Sequence, residues 1–590
     1  MKFKSVARRA LTGASMLALS LSLSTGAFAE TWVEKSNEYS QQLLNLMGKY
    51  QPEFAAQVGV TGVEANVFDL KENVVDRYRA DSVEIIATLK AQMANETDPA
   101  LLQDMAIMVK ALEDGARSLE LQNSAQLPYY NVPQMIFGGF QALLGPGSDA
   151  SRHAQAVTRL KRYAGLEEGY TPIVELAMAR TRERMGNEAL KGPYIKEVEQ
   201  DLERMPTFVA GIDSLFEGAG LEGWQDAAAT LKGQLADYRT FIETEIKPRA
   251  RQTARLPRPL YEDALKATWG VDASPEELIE LATLGYANIK NEMKALAVLV
   301  AAEKGYDSHD YRDVINQLKE DTIPGDQLKA YYEDTIQKLE EIAIREGLVT
   351  IPERDTQVRI MTAAETAQQP APNLQPPRFV GAGEKEYPTF RLPQLKKDEN
   401  GEWIKTDETF RANAWTLSAH EARPGHELQF ASMVDNGVSL ARQLYAFNST
   451  NVEGWALYAE AISKPYMPLD AQLVSLQHRL LRAARAFLDP MLNLGLIDAV
   501  EAKRILTEDV MLSESWAQNE IERYTYRIPG QAPAYFYGYS KLQALRTEVE
   551  LALADKFDAK AFHDFILAQG LLPPALMRQA VMERFVPSQL

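Results

Sequence analysis

Apolar residues recur at three- and four-residue spacing along most of this chain. That period matches the turn of an α-helix, so the pattern predicts a succession of amphipathic helices. The stretches SNEYSQQLLNLMGKY, ADSVEIIATLKAQMA, PALLQDMAIMVKALEDGARSLELQ and SPEELIELATLGYANIKNEMKALAVLVAAEKG all carry it. The last has a readable start. Ser274 is the cap, Pro275 takes the first helical position, and Glu276 and Glu277 fill the first turn. No repeat of fixed period runs through the chain, so a regular solenoid is not predicted.

Residues 349–394 break the pattern with QQPAPNLQPPRFVGAGEKEYPTFRLP. The prolines disfavour helix. RFVGAG and YPTFRL are candidate short strands or extended edges. The stretch reads either as a surface linker or as an edge beside a cleft, where a peptide can pair as an added strand. After it the helical period returns. The expected organisation is a mainly α protein in three parts. A helical part spans 30–348, an irregular part 349–394, and a second helical part 395–590 carries the chemistry. These are read as lobes of one unit.

The N-terminus stands apart. MKFKSVARRALTGASMLALSLSLSTGAFAE places Lys2, Lys4, Arg8 and Arg9 before an apolar run and ends in Ala27-Phe28-Ala29. That is the pattern of a cleavable signal peptide over 1–29. Serine and threonine interrupt the apolar run, which argues against a retained membrane anchor. Arg8-Arg9 hints at twin-arginine export, but the neighbouring residues fit the general route better. The expected location is the periplasm or outside the cell. The 590 residues include no cysteine, which removes a lipid-anchored cysteine, disulfides and a thiolate metal site from consideration. Loss of residues 1–29 takes four basic and no acidic residues, moving the formal charge from −19 to −23. Nucleic acid is therefore not an expected partner, because phosphate binding needs a basic face.

One stretch carries candidate metal chemistry. TLSAHEARPGHELQF, residues 416–430, almost matches the His-Glu-x-x-His signature of zinc proteases. Here His420 and His426 are six residues apart instead of four. On a straight helix i+4 lands about 40° away and i+6 about 120° away, so the two rings would diverge. Pro424 and Gly425 occupy the extra length. Proline removes a backbone donor and glycine tolerates unusual backbone angles, so the pair predicts a break or bulge. Such a distortion would swing His426 back beside His420.

A catalytic zinc takes three protein ligands and keeps one position open. NSTNVEGWALYAEAI, residues 448–462, offers Glu453 and Glu460 on one helical face. Glu453 follows His426 by 27 residues, enough for one helix to end and another to return. Gly454 beside it would allow close helix approach. Glu453 is therefore chosen as third ligand, Glu460 as a group that orients an imidazole, and Glu421 as general base.

A further stretch, ESWAQNEIERYTYRIPGQAPAYFYGYSKLQALR, mixes five tyrosines with Arg523 and Arg527. Phenols and guanidinium groups suit an oxyanion or a terminal carboxylate. Packing is the commoner use of any one such tyrosine. His153, His309, His478 and His563 lack a partner motif and read as structural or exposed. No G-x-S-x-G elbow and no G-x-x-x-x-G-K-[ST] loop occurs, which argues against serine and nucleotide chemistry.

HEARPGHELQ, NVEGWALYAE and ERYTYRIPGQAPAYFYG, taken in that order, resemble the signatures of the bacterial family called domain of unknown function 885. The resemblance reaches upstream to ATWGVDASPEELIELATLGYANIKNEM and covers nearly all of the expected mature chain. That family is similar to the large helical zinc metallopeptidases of the neurolysin and angiotensin-converting-enzyme type. The resemblance implies a nearly all-helical fold with a deep central cleft. It implies one zinc ion on His420, His426 and Glu453, with Glu421 as base. Tyr524 or Tyr535 would be the oxyanion donor, with Arg527 and Gln531 contacting substrate. The two-residue Pro-Gly insertion departs from the metallopeptidases.

The leading expectation is a periplasmic zinc metallopeptidase of short peptides. A non-catalytic helical peptide-binding protein with a degenerate metal site is one alternative. A metal-dependent amide hydrolase acting on cell-wall or modified peptides is another.

Overall fold

The computed structural model describes residues 31–270, 273–369, 371–380 and 386–590. The expected signal peptide, 1–29, lies outside them. The described chain is mainly α with one small sheet. The four periodic stretches quoted above lie on the helices Trp32–Tyr50, Val74–Met93 and Pro99–Ala125 and on α1, Pro275–Lys304. Ser274 caps α1 in a reciprocal box with Glu277, and Gly305 ends it at φ 72°. Both ends thus satisfy backbone groups that a helix leaves open.

The helices that matter for the site come later. They are α2 (Leu328–Arg345), α3 (Arg411–Glu421), α4 (His426–Asp435), α5 (Ser449–Ser463), α6 (Leu469–Leu494), α7 (Glu514–Glu522) and α8 (Ala534–Leu553). Nearly every side chain of α6 from Leu473 to Asn493 is buried. A helix buried on all sides is normally apolar all round. This one instead carries His478, Arg482, Arg485 and Asp489 into the interior along one face. α1 lies along α6, and the two share a core that includes Met293, Ala297, Leu480 and Ala484. A second core joins the helices between residues 68 and 250.

The irregular stretch contributes three strands: β1 (Gln357–Ile360), β2 (Asn373–Gln375) and β3 (Thr389–Leu392). Their order is β1-β3-β2, with β1 parallel and β2 antiparallel to the central β3. YPTFRL contains β3. Of RFVGAG, only 378–380 is described, and it lies outside the strands. Val358, Phe390 and Leu392 pack with Leu328 and Ile336 of α2 and with Ala414 and Leu417 of α3. The sheet therefore braces the helix that ends in His420-Glu421. Among the described residues no helix is long and apolar enough to cross a membrane.

Candidate metal centre

The helical period of the signature stretch is interrupted at the Pro-Gly pair. α3 stops at Glu421 and α4 starts at His426, with Ala422–Gly425 between them. Glycine is demanded at 425 by a close approach. A Cβ there would fall 1.9 Å from the His420 carbonyl oxygen and 2.4 Å from that of Ala419. Side chains pin the rest of the link. Buried Arg423 donates from Nε to Glu427 (2.7 Å) and from Nη1 to Glu340 (2.7 Å). The Trp455 indole donates to the Pro424 carbonyl at 3.0 Å. The outcome is that the two imidazoles meet. Their ring centroids are 4.8 Å apart with planes at 82°.

α5 delivers the carboxylates. Glu453 Oε2 lies 3.2 Å from His426 Nε2 and 3.5 Å from His420 Nε2. Two turns on, fully buried Glu460 meets His420 Nδ1 at 2.7 Å and accepts from Thr416 Oγ1 at 2.7 Å. Glu421 belongs to the same group. One ligand atom each from His420, Glu421 and His426 fit within 4.8 Å of one another. Burial disfavours a charged ring at His420, but its hydrogen bonds to the Glu453 and Glu460 carboxylates outweigh it and lift the ring to about 9. Burial also pushes the Glu453 carboxyl up, yet the two imidazoles hold it well below the usual range. Glu421 is partly open to solvent but deep enough that burial raises its carboxyl.

α8 crosses α5 at a pair of glycines, where the two backbones meet directly. A Cβ on Gly454 would meet Gly538 Cα at 2.7 Å, and one on Gly538 would meet the Thr450 carbonyl at 2.0 Å. This contact brings Tyr535 onto His420, their rings 6.1 Å apart and nearly parallel at 11°. The Pro529-Gly530 turn before α8 is held from both sides. The Gly530 N–H donates to Asp489 (3.1 Å), and the Gly530 carbonyl accepts from the Trp269 indole (2.7 Å).

Beyond Tyr535 lies a buried cluster of arginines. Arg485 forks onto Glu520 at 2.8 and 2.5 Å. Arg482 lies 3.6 Å from Glu460 and donates to His478 Nδ1 at 2.7 Å. Arg523 donates to the Tyr535 hydroxyl at 2.9 Å and to Gln531 Oε1, while Gln531 reaches Ser449 Oγ at 3.4 Å.

The structure thus gathers His420, His426, Glu421, Glu453, Glu460 and Tyr535, with Gln531 one contact behind. Two of the expected residues have their polar groups engaged away from the imidazoles. Tyr524 is fully buried and its hydroxyl donates to Glu520 at 2.7 Å, which ties it to the arginine cluster. Arg527 pairs with Glu522 at 2.5 Å and donates to Gln200 at 3.0 Å, so its charge is already matched. The sequence reading passed over Arg482 and Arg485, named Arg523 only as one of the arginines among the tyrosines, and left His478 without a partner. The available signal was the i, i+4, i+7 row His478, Arg482, Arg485 inside an otherwise apolar helix.

The model of a family described as bacterial protein of unknown function, DUF885, matches residues 52–581. The chain belongs to this family. Two solved structures resemble the DUF885 chain in fold. One is a candidate lipoprotein of unknown function from Shewanella oneidensis, at 17% identity and TM-score 0.73, covering 94% of this chain and 100% of its own. The other is a candidate lipoprotein from Colwellia psychrerythraea, at 18% identity and TM-score 0.76, covering 95% and 100%. No curated protein matches the DUF885 chain.

A cavity of about 1160 Å³ in this DUF885 protein lies away from the imidazoles. It is lined by Tyr78, Leu102, Ile107, Lys266, Gly270 and Phe447 among others. Lys266, Ala267 and Gly270 line it, whereas Leu265 and Trp269 of the same helical segment meet the Gly530 turn. The cavity therefore sits behind that helix as seen from Gln531. The convergence of ligand-forming groups, rather than volume, marks the candidate site.

Proposed function

We propose that this chain is a metal-dependent hydrolase of short peptides, with zinc as the ion. The observation that carries the reading is the spacing around Glu453. Nitrogen and oxygen ligands about 2.0–2.1 Å from a tetrahedral ion lie about 3.3–3.4 Å from one another. Glu453 Oε2 stands 3.2 and 3.5 Å from the two Nε2 atoms. The set is imidazole and carboxylate, the donors that zinc takes when no thiolate is offered. His426 Nδ1 is buried with no partner among the described residues, which leaves it to carry the ring proton while Nε2 faces Glu453. The residues present therefore fit the ion, with His420, His426 and Glu453 holding it.

A divalent ion held there supplies Lewis acidity, polarising a peptide carbonyl and acidifying water. The rest is done by the chain. Glu421 sits beside both imidazoles with a carboxyl raised by burial, placed to take a proton from the attacking water and hand it to the leaving amine nitrogen. With an ion bound in place of the Nε2 proton, Glu460 would hold the proton on His420 Nδ1 and leave Nε2 as the lone-pair donor. The Tyr535 hydroxyl, steadied by Arg523, is the donor available to a developing oxyanion. The signal-peptide pattern, together with the relatives' description as candidate lipoproteins, supports export to the cell envelope or beyond.

The test is elemental analysis of the full mature chain, purified without chelator or histidine tag, followed by a peptide panel. One zinc per chain, turnover of short peptides and loss of turnover without loss of zinc in Glu421→Gln are expected. Undiminished turnover in Glu421→Gln would sink the mechanism. Zinc and peptide binding with no turnover in any protein would favour a binding protein instead.

A further inference from the structure

Residues 246–261, IKPRARQTARLPRPLY, hold five basic residues and no acidic one, in a chain whose formal charge is −19. A run of surface charge is ordinarily paired, and Arg258 is, because it bridges Glu262 and Glu276. Three others meet no carboxylate in an ion pair. Arg249 donates to the Met185 carbonyl at 3.0 Å and Arg251 to the Thr253 carbonyl at 2.8 Å. The exposed Arg255 guanidinium lies against Gly495, with no hydrogen-bond or carboxylate partner among the described residues. Exposed Lys191 joins them, because its neighbour Gly192 packs on the Arg249 carbonyl, where a Cβ would fall 2.4 Å away.

The carboxylates in reach are already engaged. Glu199 serves Lys196 at 2.8 Å and Lys247 at 3.6 Å. Arg182 forks onto Glu245, and Glu197, which lies within the field of Arg251, accepts from the Tyr194 N–H at 3.3 Å. Glu188 stands between Arg184 and Lys191, and those two outnumber it. Cations are therefore in excess on this face.

Aliphatic side chains protrude beside them. Gly495, which Arg255 touches, follows the end of α6, and after it come Leu496 at 62% exposure and Val500 at 79%. A chain of contacts ties this corner to the basic segment. Arg251 lies over the Tyr194 ring, Tyr194 packs on Tyr526, and Asn493 of α6 donates to the Tyr524 carbonyl. Excess cations beside protruding aliphatics match an anionic lipid surface, where headgroups take the charge and the acyl boundary takes the apolar side chains. A soluble polyanion would answer the first feature and leave the second without a partner. The acidity of the rest of the chain does not oppose the contact at physiological salt, because charges more than about 8 Å away are largely screened.

We propose that this face, built on Lys191, Arg249, Arg251 and Arg255 with Leu496 and Val500, docks the protein on a membrane leaflet that carries anionic phospholipid. The proposal does not depend on the metal centre.

The experiment sediments the full mature chain with vesicles of mixed phosphatidylglycerol and phosphatidylcholine, and with vesicles of phosphatidylcholine alone. Binding to the anionic vesicles only is expected, falling as salt rises from about 0.1 to about 0.5 M. Each basic side chain at such a surface is worth about fivefold in partitioning. Lys191→Gln, Arg249→Gln and Arg255→Gln combined should therefore weaken it about a hundredfold. Lys191→Arg, Arg249→Lys and Arg255→Lys combined should keep it. Leu496→Ser with Val500→Ser should weaken binding while the salt dependence stays. Equal binding to both kinds of vesicle, or binding to neither, overturns the proposal on the wild type alone. Full binding by the three-glutamine variant, with its melting temperature unchanged, overturns it as well. Capture of duplex DNA without vesicle binding would make the face a polyanion site and likewise overturn the lipid assignment.

Discussion

Gly454 of α5 and Gly538 of α8 face each other so closely that a methyl group on either would enter the other helix's backbone. The contact lies one residue from Glu453 and three from Tyr535. It sets how far the stacked phenol stands from the candidate ligand. Gly454→Ala should force the helices apart. Overpacking of this kind costs about 1–3 kcal/mol. The expected result is a lower melting temperature together with weaker zinc binding, read by differential scanning calorimetry and a chelator titration. Unchanged zinc affinity would show that the ligand set does not depend on this crossing.

Gly425→Ala should be more severe at the site. Its Cβ would overlap the His420 carbonyl, so the link between α3 and α4 must move, and His426 with it. Loss of the bound ion is expected, with the far-UV helical signal largely kept. Arg423→Met, which releases Glu427 and Glu340 from the same link, is expected to weaken binding in the same direction.

Glu460→Gln separates orientation from ligation. Removing a partner that fixes a ligand imidazole costs about 10–100-fold in metal affinity. The variant keeps His420 and an amide in place of the carboxylate, so zinc should still bind, but more weakly by that factor. Competition with a calibrated chelator measures it. Complete loss of binding would place Glu460 in direct contact with the ion.

The Arg485–Glu520 pair predicts an acid limb. Burial alone raises the Glu520 carboxyl, but the Arg485 charge and hydrogen bonds outweigh it and hold the group at about 2, against an ordinary 4.5. A depressed folded value stabilises the protein above pH 4.5, and that contribution is lost as pH falls from 4.5 to 2. At about 1.4 kcal/mol per unit the difference is about 3 kcal/mol. Urea midpoints across this window should therefore fall more steeply for the wild type than for Glu520→Gln. Parallel slopes would remove Glu520 from the limb.

Much of this was legible in the chain. The helical period and the capping box at Ser274 are local, and local propensity decided them. The break at Pro424-Gly425 was legible too, because proline and glycine act on their own backbone. What was not legible was the company each side chain keeps. Tyr524 and Tyr535 carry the same chemistry and stand 11 residues apart, yet one points at Glu520 and the other at His420. Arg523 and Arg527 differ in the same way, because Glu522 and the distant Gln200 claim one and not the other. Tertiary partners decide such cases, and a lone sequence does not display them.

Glu453, Gly454 and Trp455 are consecutive and therefore point about 100° apart around α5. The first faces the imidazoles, the second lets α8 in, and the third clasps the Pro424 carbonyl from behind. One short run thus acts as a spindle on which three otherwise separate surfaces are hung. A slight roll of α5 would shift the carboxylate, the phenol and the turn before His426 together. The centre is accordingly assembled or lost as a unit, and a variant at any of the three positions should register at the other two.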